Sequence, residues 1–239
     1  MSTEIRGGVE LPARREDIEL LTSDGLRLVG ELASPLERAP VATLVTLHPL
    51  PTHGGFMDSH VLRKAAARLP ALADLAVLRF NFRGVSSPRG TSEGAFGDGI
   101  AERADLEAAM GFVAERGLPA PWLLGWSFGT EVALKHGRGL GAAGVILLSP
   151  PLRRTSEAEL ARWADAEIPV VALVPELDDF LRPEEARARF GALAPNVEVV
   201  AVDGAKHLWV GETQVRRVLE EVVARLNPAA LPLQTVWEP

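Results

Sequence analysis

Trp122-Leu123-Leu124-Gly125-Trp126-Ser127-Phe128-Gly129 is the stretch on which the reading of this chain turns. The apolar run WLLGW ends in G-x-S-x-G, and Thr130 to His136 continues with helical character. A strand that passes straight into a helix around a serine is the context of a nucleophile elbow. Such a turn holds the serine in a strained backbone conformation with Oγ pointing outward. Side chains two residues to either side would crowd it, which accounts for glycine at 125 and 129. The helix that starts behind Ser127 also offers free N–H groups and a partial positive charge to a developing oxyanion.

Outward from the elbow, short apolar runs alternate with helical patterns. Ala42 to Leu47, Val77 to Asn81, Trp122 to Trp126, Gly144 to Leu148, Val170 to Val174 and Val197 to Val202 read as strands. Most are almost continuously hydrophobic, as parallel strands covered on both faces are. Glu19 to Thr22 and Arg27 to Ala33, joined through Ser23-Asp24-Gly25, read as an opening antiparallel hairpin. Helices are expected over Asp58 to Leu69, after Asp98 (Leu106, Met110, Val113), over Thr130 to His136 and Glu184 to Leu193, and around Val215 to Leu226. The alternation implies a mostly parallel, doubly wound α/β sheet, whose ligands sit at the carboxyl ends of the strands. The segment between Leu148 and Val170 has room for one short helix and none for a large cap domain. Pro228 to Pro239 carries three prolines and no period, and reads as an irregular tail.

Composition narrows the class. Of 239 residues, 47% are hydrophobic and 24% charged, and no linker or composition shift divides the chain, so a single domain over 1–239 is expected. A net charge of −7 with interleaved signs and no basic stripe argues against a nucleic-acid partner. The absence of cysteine excludes disulfides, thiolate metal sites and a cysteine nucleophile. The first twenty residues hold no apolar signal-peptide core, and no run is long enough to span a bilayer, so a cytoplasmic protein without membrane attachment is expected. Gly139 to Gly144 fits G-x-G-x-x-G but leads into a strand rather than out of one, and no Walker A pattern occurs, so no nucleotide cofactor is expected.

A serine nucleophile needs a base. In enzymes built on this elbow the order along the chain is Ser, acid, His, and only His136 and His207 follow Ser127. His136 falls about two turns along the elbow helix, too far to reach back. His207 lies in a polar loop after the last strand, where the base belongs. The acid is expected from the loop after Val174, which offers Glu176, Asp178 and Asp179. One oxyanion N–H comes from Phe128, and the other from the loop after Leu47. There Pro49 and Pro51 have no N–H, which leaves Leu50 as donor. Two loop histidines, His48 and His53, are too little to indicate a metal, so neither metal nor cofactor is expected.

Taken together, these motifs resemble those of the small, lidless bacterial α/β-hydrolases of the dienelactone-hydrolase and short-chain esterase branch. His48 to Gly55 matches its H-P-x-P-x-x-G-G loop, Arg79 to Gly84 its R-F-N-F-R-G stretch, and Gly125 to Gly129 its G-x-S-F-G elbow. Pro175 to Phe180 is similar to its G-E-x-D-x-F loop, and that spacing selects Asp178 as the acid. Leu50 replaces a histidine common in the group, Pro175 a glycine and Ser86 a glycine. The resemblance implies the α/β-hydrolase fold and a serine hydrolase acting on carboxylic esters or thioesters of a small molecule. The catalytic residues would be Ser127, Asp178 and His207, with Phe128 and Leu50 as oxyanion donors and Trp126, Leu50 and Phe128 lining the substrate site. A peptidase, a lactone or carbon–carbon bond hydrolase, and a non-catalytic binding protein on the same fold remain alternatives, and oligomeric state is left open.

Overall fold

Eight strands form the central sheet of the computed structural model, which describes residues 2–238. They are β1 (Arg14–Leu21), β2 (Arg27–Ser34), β3 (Ala42–Leu47), β4 (Leu75–Phe80), β5 (Pro121–Trp126), β6 (Gly144–Leu148), β7 (Val170–Pro175) and β8 (Glu198–Val202). Their spatial order is β8-β7-β6-β5-β3-β4-β2-β1. β2 runs antiparallel to both its neighbours, and β3 to β8 are all parallel. This is the α/β-hydrolase fold, with an antiparallel hairpin at its N-terminal edge and no large cap domain.

The continuous apolar runs have a simple cause. Val45, Leu47, Leu123 and Leu147 point into one core, shared with α2 (Glu102–Glu115), α3 (Phe128–His136), α4 (Glu157–Ala161) and α5 (Pro183–Leu193). Leu44, Leu124, Ile146 and Leu148 point into a second, under α1 (His60–Ala73) and α6 (Glu212–Leu226). With helices on both faces, almost every position of the inner strands β3 to β7 is inside. The Arg79 to Gly84 stretch is ionic glue beneath the β4 loop. Arg79 is buried against Glu31 and Asp58, while Arg83 bonds Asp105 and the hairpin-turn Asp24, each at 2.9 Å.

Three elements differ from the sequence reading. β1 begins at Arg14 rather than Glu19, because an edge strand needs only one apolar side. Its charged half instead carries ion pairs such as Arg15–Glu31 and Arg116–Glu16. α1 continues through Pro70 to Ala73 instead of stopping at Leu69. The Ala66 carbonyl that proline cannot serve is taken by Arg15 at 3.2 Å, and the Ala67 carbonyl accepts the Leu11 N–H at 2.8 Å. The C-terminal segment is not wholly irregular. Pro228–Ala230 forms a 3₁₀ turn, and Val236–Trp237 pairs antiparallel with Thr3–Glu4. A two-residue ladder has no period for a sequence to display. No helix among the described residues is long and apolar enough to cross a membrane.

Candidate active site

β5 ends at Trp126, α3 begins at Phe128, and Ser127 between them has φ 51° and ψ −112°. A non-glycine residue held at positive φ stores strain of about 1 kcal/mol or more, and such strain gathers at functional sites. Both flanking glycines are obligatory. A Cβ on Gly125 would lie 2.5 Å from the Gly129 carbonyl oxygen, and one on Gly129 would lie 2.1 Å from that of Leu47. The elbow is therefore pressed against the end of β3. The Ser127 N–H is fixed by the Leu148 carbonyl of β6 at 2.9 Å, leaving the half-buried side chain at the carboxyl edge of the sheet.

Two loops meet Ser127. His207, in the loop after β8, has its Nε2 2.9 Å from Ser127 Oγ. Its Nδ1 faces both carboxylate oxygens of Asp178, at 2.9 and 3.1 Å. Asp178 is 3% exposed and also accepts the Phe180 N–H at 2.8 Å and the Leu181 N–H at 3.3 Å. An ionised carboxylate can only accept, so the imidazole proton sits on Nδ1 and Nε2 is left to accept the serine hydroxyl. Asp179 points to solvent, and Glu176 closes the turn by accepting the Gly204 N–H at 2.8 Å. The acid and histidine loops are stitched together by Leu177 N–H to Ala205 C=O, 3.0 Å.

Sequence reasoning missed the supports of His207. Its carbonyl accepts both the Ser149 hydroxyl and the Trp126 indole N–H at 3.2 Å, and Trp209 donates to Ser149 Oγ at 2.8 Å. Nothing local in Ser149-Pro150-Pro151 signals this, since the contacts span about sixty residues of sequence. These bonds also correct the expected substrate lining. Trp126 is 2% exposed, edge-on to His60 in the core beneath α1 and α6, because alternation along β5 turns it away from the Ser127 surface. The Phe128 ring is likewise buried, against Phe82 and Phe96. Of the three proposed lining side chains only Leu50 is partly open.

The backbone donors fare differently. Neither the Phe128 N–H nor the Leu50 N–H has an acceptor among the described residues. The Leu50 carbonyl is bound instead, by the His53 and Gly55 N–H groups at 3.0 Å, which curls the loop over the 3₁₀ turn Pro51–His53. A cleft of about 500 Å³ opens beside this loop, walled by Phe56, Val85 and Phe96.

His48 anchors the loop and has no capacity left for a metal. Its Nδ1–H donates to the Pro49 carbonyl at 2.7 Å, and its Nε2 accepts the Phe82 N–H at 3.0 Å. Complete burial pushes its pKa down to about 4, partly opposed by the Pro49 bond. The unfolded chain protonates this ring below about pH 6.5, whereas the native state refuses the proton until about pH 4. The native state thus gains its full advantage above pH 6.5 and loses about 3 kcal/mol as pH falls through that window. The His48 Hε1 resonance should accordingly show no titration step between pH 5 and 8. A midpoint near 6.5 would contradict the buried, neutral assignment. Of the remaining histidines, His136 bonds the Gly99 carbonyl at 2.8 Å and His53 stays beside Thr52, so neither approaches Ser127 in any hydrogen bond.

No family model matches the chain. It is similar to an uncharacterized protein of Rickettsia prowazekii (strain Madrid E), 28% identical over 199 residues that make up 79% of this chain and 80% of the relative. In structure it is similar to an alpha-beta serine hydrolase homologue from Coxiella burnetii, with a TM-score of 0.75 and 27% identity, covering 88% of this chain and 97% of the other. It is also similar to an α/β serine hydrolase without a lid from Xanthomonas campestris, with a TM-score of 0.73 and 26% identity, covering 94% of this chain and 99% of that one.

Proposed function

We propose, from the premise that the chain is a small lidless α/β-hydrolase, that it cleaves carboxylic esters or thioesters of small molecules through an acyl-enzyme on Ser127. The observation that carries this reading is the continuous contact from Ser127 Oγ through His207 to Asp178. Ser127 Oγ attacks the carbonyl carbon while its proton passes to His207 Nε2, and Asp178 stabilises the imidazolium through Nδ1–H. The carbonyl oxygen, now carrying the negative charge, meets the unoccupied N–H groups of Phe128 and Leu50. The alcohol or thiol then leaves with the proton from Nε2. Water repeats the sequence on the acyl-enzyme and restores the serine. In this reading the chain acts as one domain over 1–239, without metal or cofactor, in the cytoplasm.

The site's openness supports small substrates. Between β6 and β7 the chain builds only the five residues of α4, too few to cover the serine. Across p-nitrophenyl esters of graded chain length, kcat/KM should be highest for acyl chains of about two to four carbons and fall with length. A preference for long chains, with activation at an oil–water interface, would defeat the open-site reading.

A further inference from the structure

The loop after β6 is fastened more heavily than an eight-residue connection needs to be. Ser149 and Leu152 both hold positive φ, 51° and 48°. Glu131 of α3 is wholly buried, pairs with no Arg or Lys among the described residues, and spends its carboxylate on this loop alone. It accepts the Arg153 N–H at 2.7 Å, the Arg154 N–H at 3.1 Å and the Thr155 hydroxyl. Arg189 of α5 binds the Leu152 carbonyl at 3.1 Å. Strain and a buried carboxylate persist only where the surroundings over-determine them, and here they fix the position of two arginines.

Those arginines diverge. Arg154 turns back to Asp98, Nε to Oδ1 2.7 Å. Arg153 turns the other way, with its guanidinium 5.1 Å from the Phe180 ring centre, and Phe180 in turn lies 4.5 Å from the His207 imidazole. Arg153 is exposed and has no carboxylate within ion-pair distance among the described residues. With one face resting on an aromatic ring, a guanidinium keeps its N–H fork open to solvent, a geometry suited to a two-oxygen anion. In a protein of net charge −7, a cation whose backbone is fixed by Glu131 and whose guanidinium stands unpaired one ring away from His207 calls for a partner.

Its link to the reacting centre runs, through Phe180, to His207. The leaving group must approach His207 Nε2 to collect its proton, whereas the carbonyl oxygen lies toward Leu50 and Phe128. We propose that Arg153 recognises an anionic leaving group: the substrate is an ester or thioester whose alcohol or thiol half carries a carboxylate. This inference rests on the hydrolase reading above and deepens it.

Two acetate esters that differ only in that charge provide the test, 3-acetoxybenzoate and 3-acetoxybenzamide. Wild type should favour the benzoate in kcat/KM by about fivefold or more, the scale of an exposed, well-oriented charge pair, and the ratio should shrink in high salt. In Arg153→Gln the ratio should fall to about one through a raised KM for the benzoate, and Arg153→Lys should recover part of it. A ratio unchanged in Arg153→Gln would overturn the proposal while leaving the hydrolase reading standing. Should neither ester be turned over, the hydrolase reading fails by itself. Arg153 is then judged by NMR titration of Ser127→Ala with 3-hydroxybenzoate, where Arg153→Gln should weaken binding at least about fivefold and equal affinities would refute it.

Discussion

Replacing Ser127 by alanine is expected to lower ester turnover by about six orders of magnitude, the scale on which loss of a triad nucleophile is felt. The fold should survive. Oγ hydrogen-bonds only His207 Nε2 among the described residues, and the strained backbone is held by the Leu148 carbonyl and the two glycines rather than by the side chain. Alanine meets the same φ of 51° with a side chain no larger. Turnover of p-nitrophenyl acetate by purified Ser127→Ala, measured beside its melting temperature, separates the two effects. Activity within tenfold of wild type would remove Ser127 from the mechanism.

Asp178→Asn is expected to cost at least about a thousandfold in kcat, by the tautomer argument known from a related triad. The structure makes the cause specific. Oδ1 of Asp178 accepts the Phe180 and Leu181 N–H groups, while Oδ2 lies nearest His207 Nδ1. An asparagine keeps its carbonyl oxygen on the two N–H groups and thereby turns its NH₂ toward Nδ1. The imidazole must then carry its proton on Nε2, facing the serine it should deprotonate. Asp179, exposed one residue on, bonds neither ring nitrogen, so Asp179→Asn should stay within about tenfold. Kinetics of the two purified variants in the reverse order would transfer the acid role to Asp179.

What was legible in the sequence follows from where the constraints act. The elbow could be read because its constraint is local: Gly125 and Gly129 are required by backbone only a few residues away, or by the strand end it abuts. The six parallel strands could be read because burial on both faces writes itself as unbroken apolar runs. His207 and the acid loop followed from their order after strands, Asp178 was singled out within that loop by the family resemblance, and the structure brings both side chains to one hydrogen-bonded chain with Ser127. Trp126 was misjudged because adjacency to Ser127 in sequence says nothing of the alternation that sends it to the opposite face. The helix through Pro70 was invisible because Arg15, which satisfies the freed Ala66 carbonyl, comes from elsewhere in the chain. Glu131, Ser149 and Arg153 carry no motif at all. Their significance comes from contacts made across the fold, as when Glu131 reaches Arg153 over twenty-two residues.

The central claim is that Ser127 is a nucleophile activated by its own fold, and covalent labelling tests it most directly. Folded wild-type protein treated with a fluorophosphonate should gain the mass of one adduct, lose esterase activity in proportion, and carry the label on the peptide containing Ser127. Ser127→Ala should take up none. No adduct on the folded protein, or a label on another residue with Ser127 unmodified, would contradict the account.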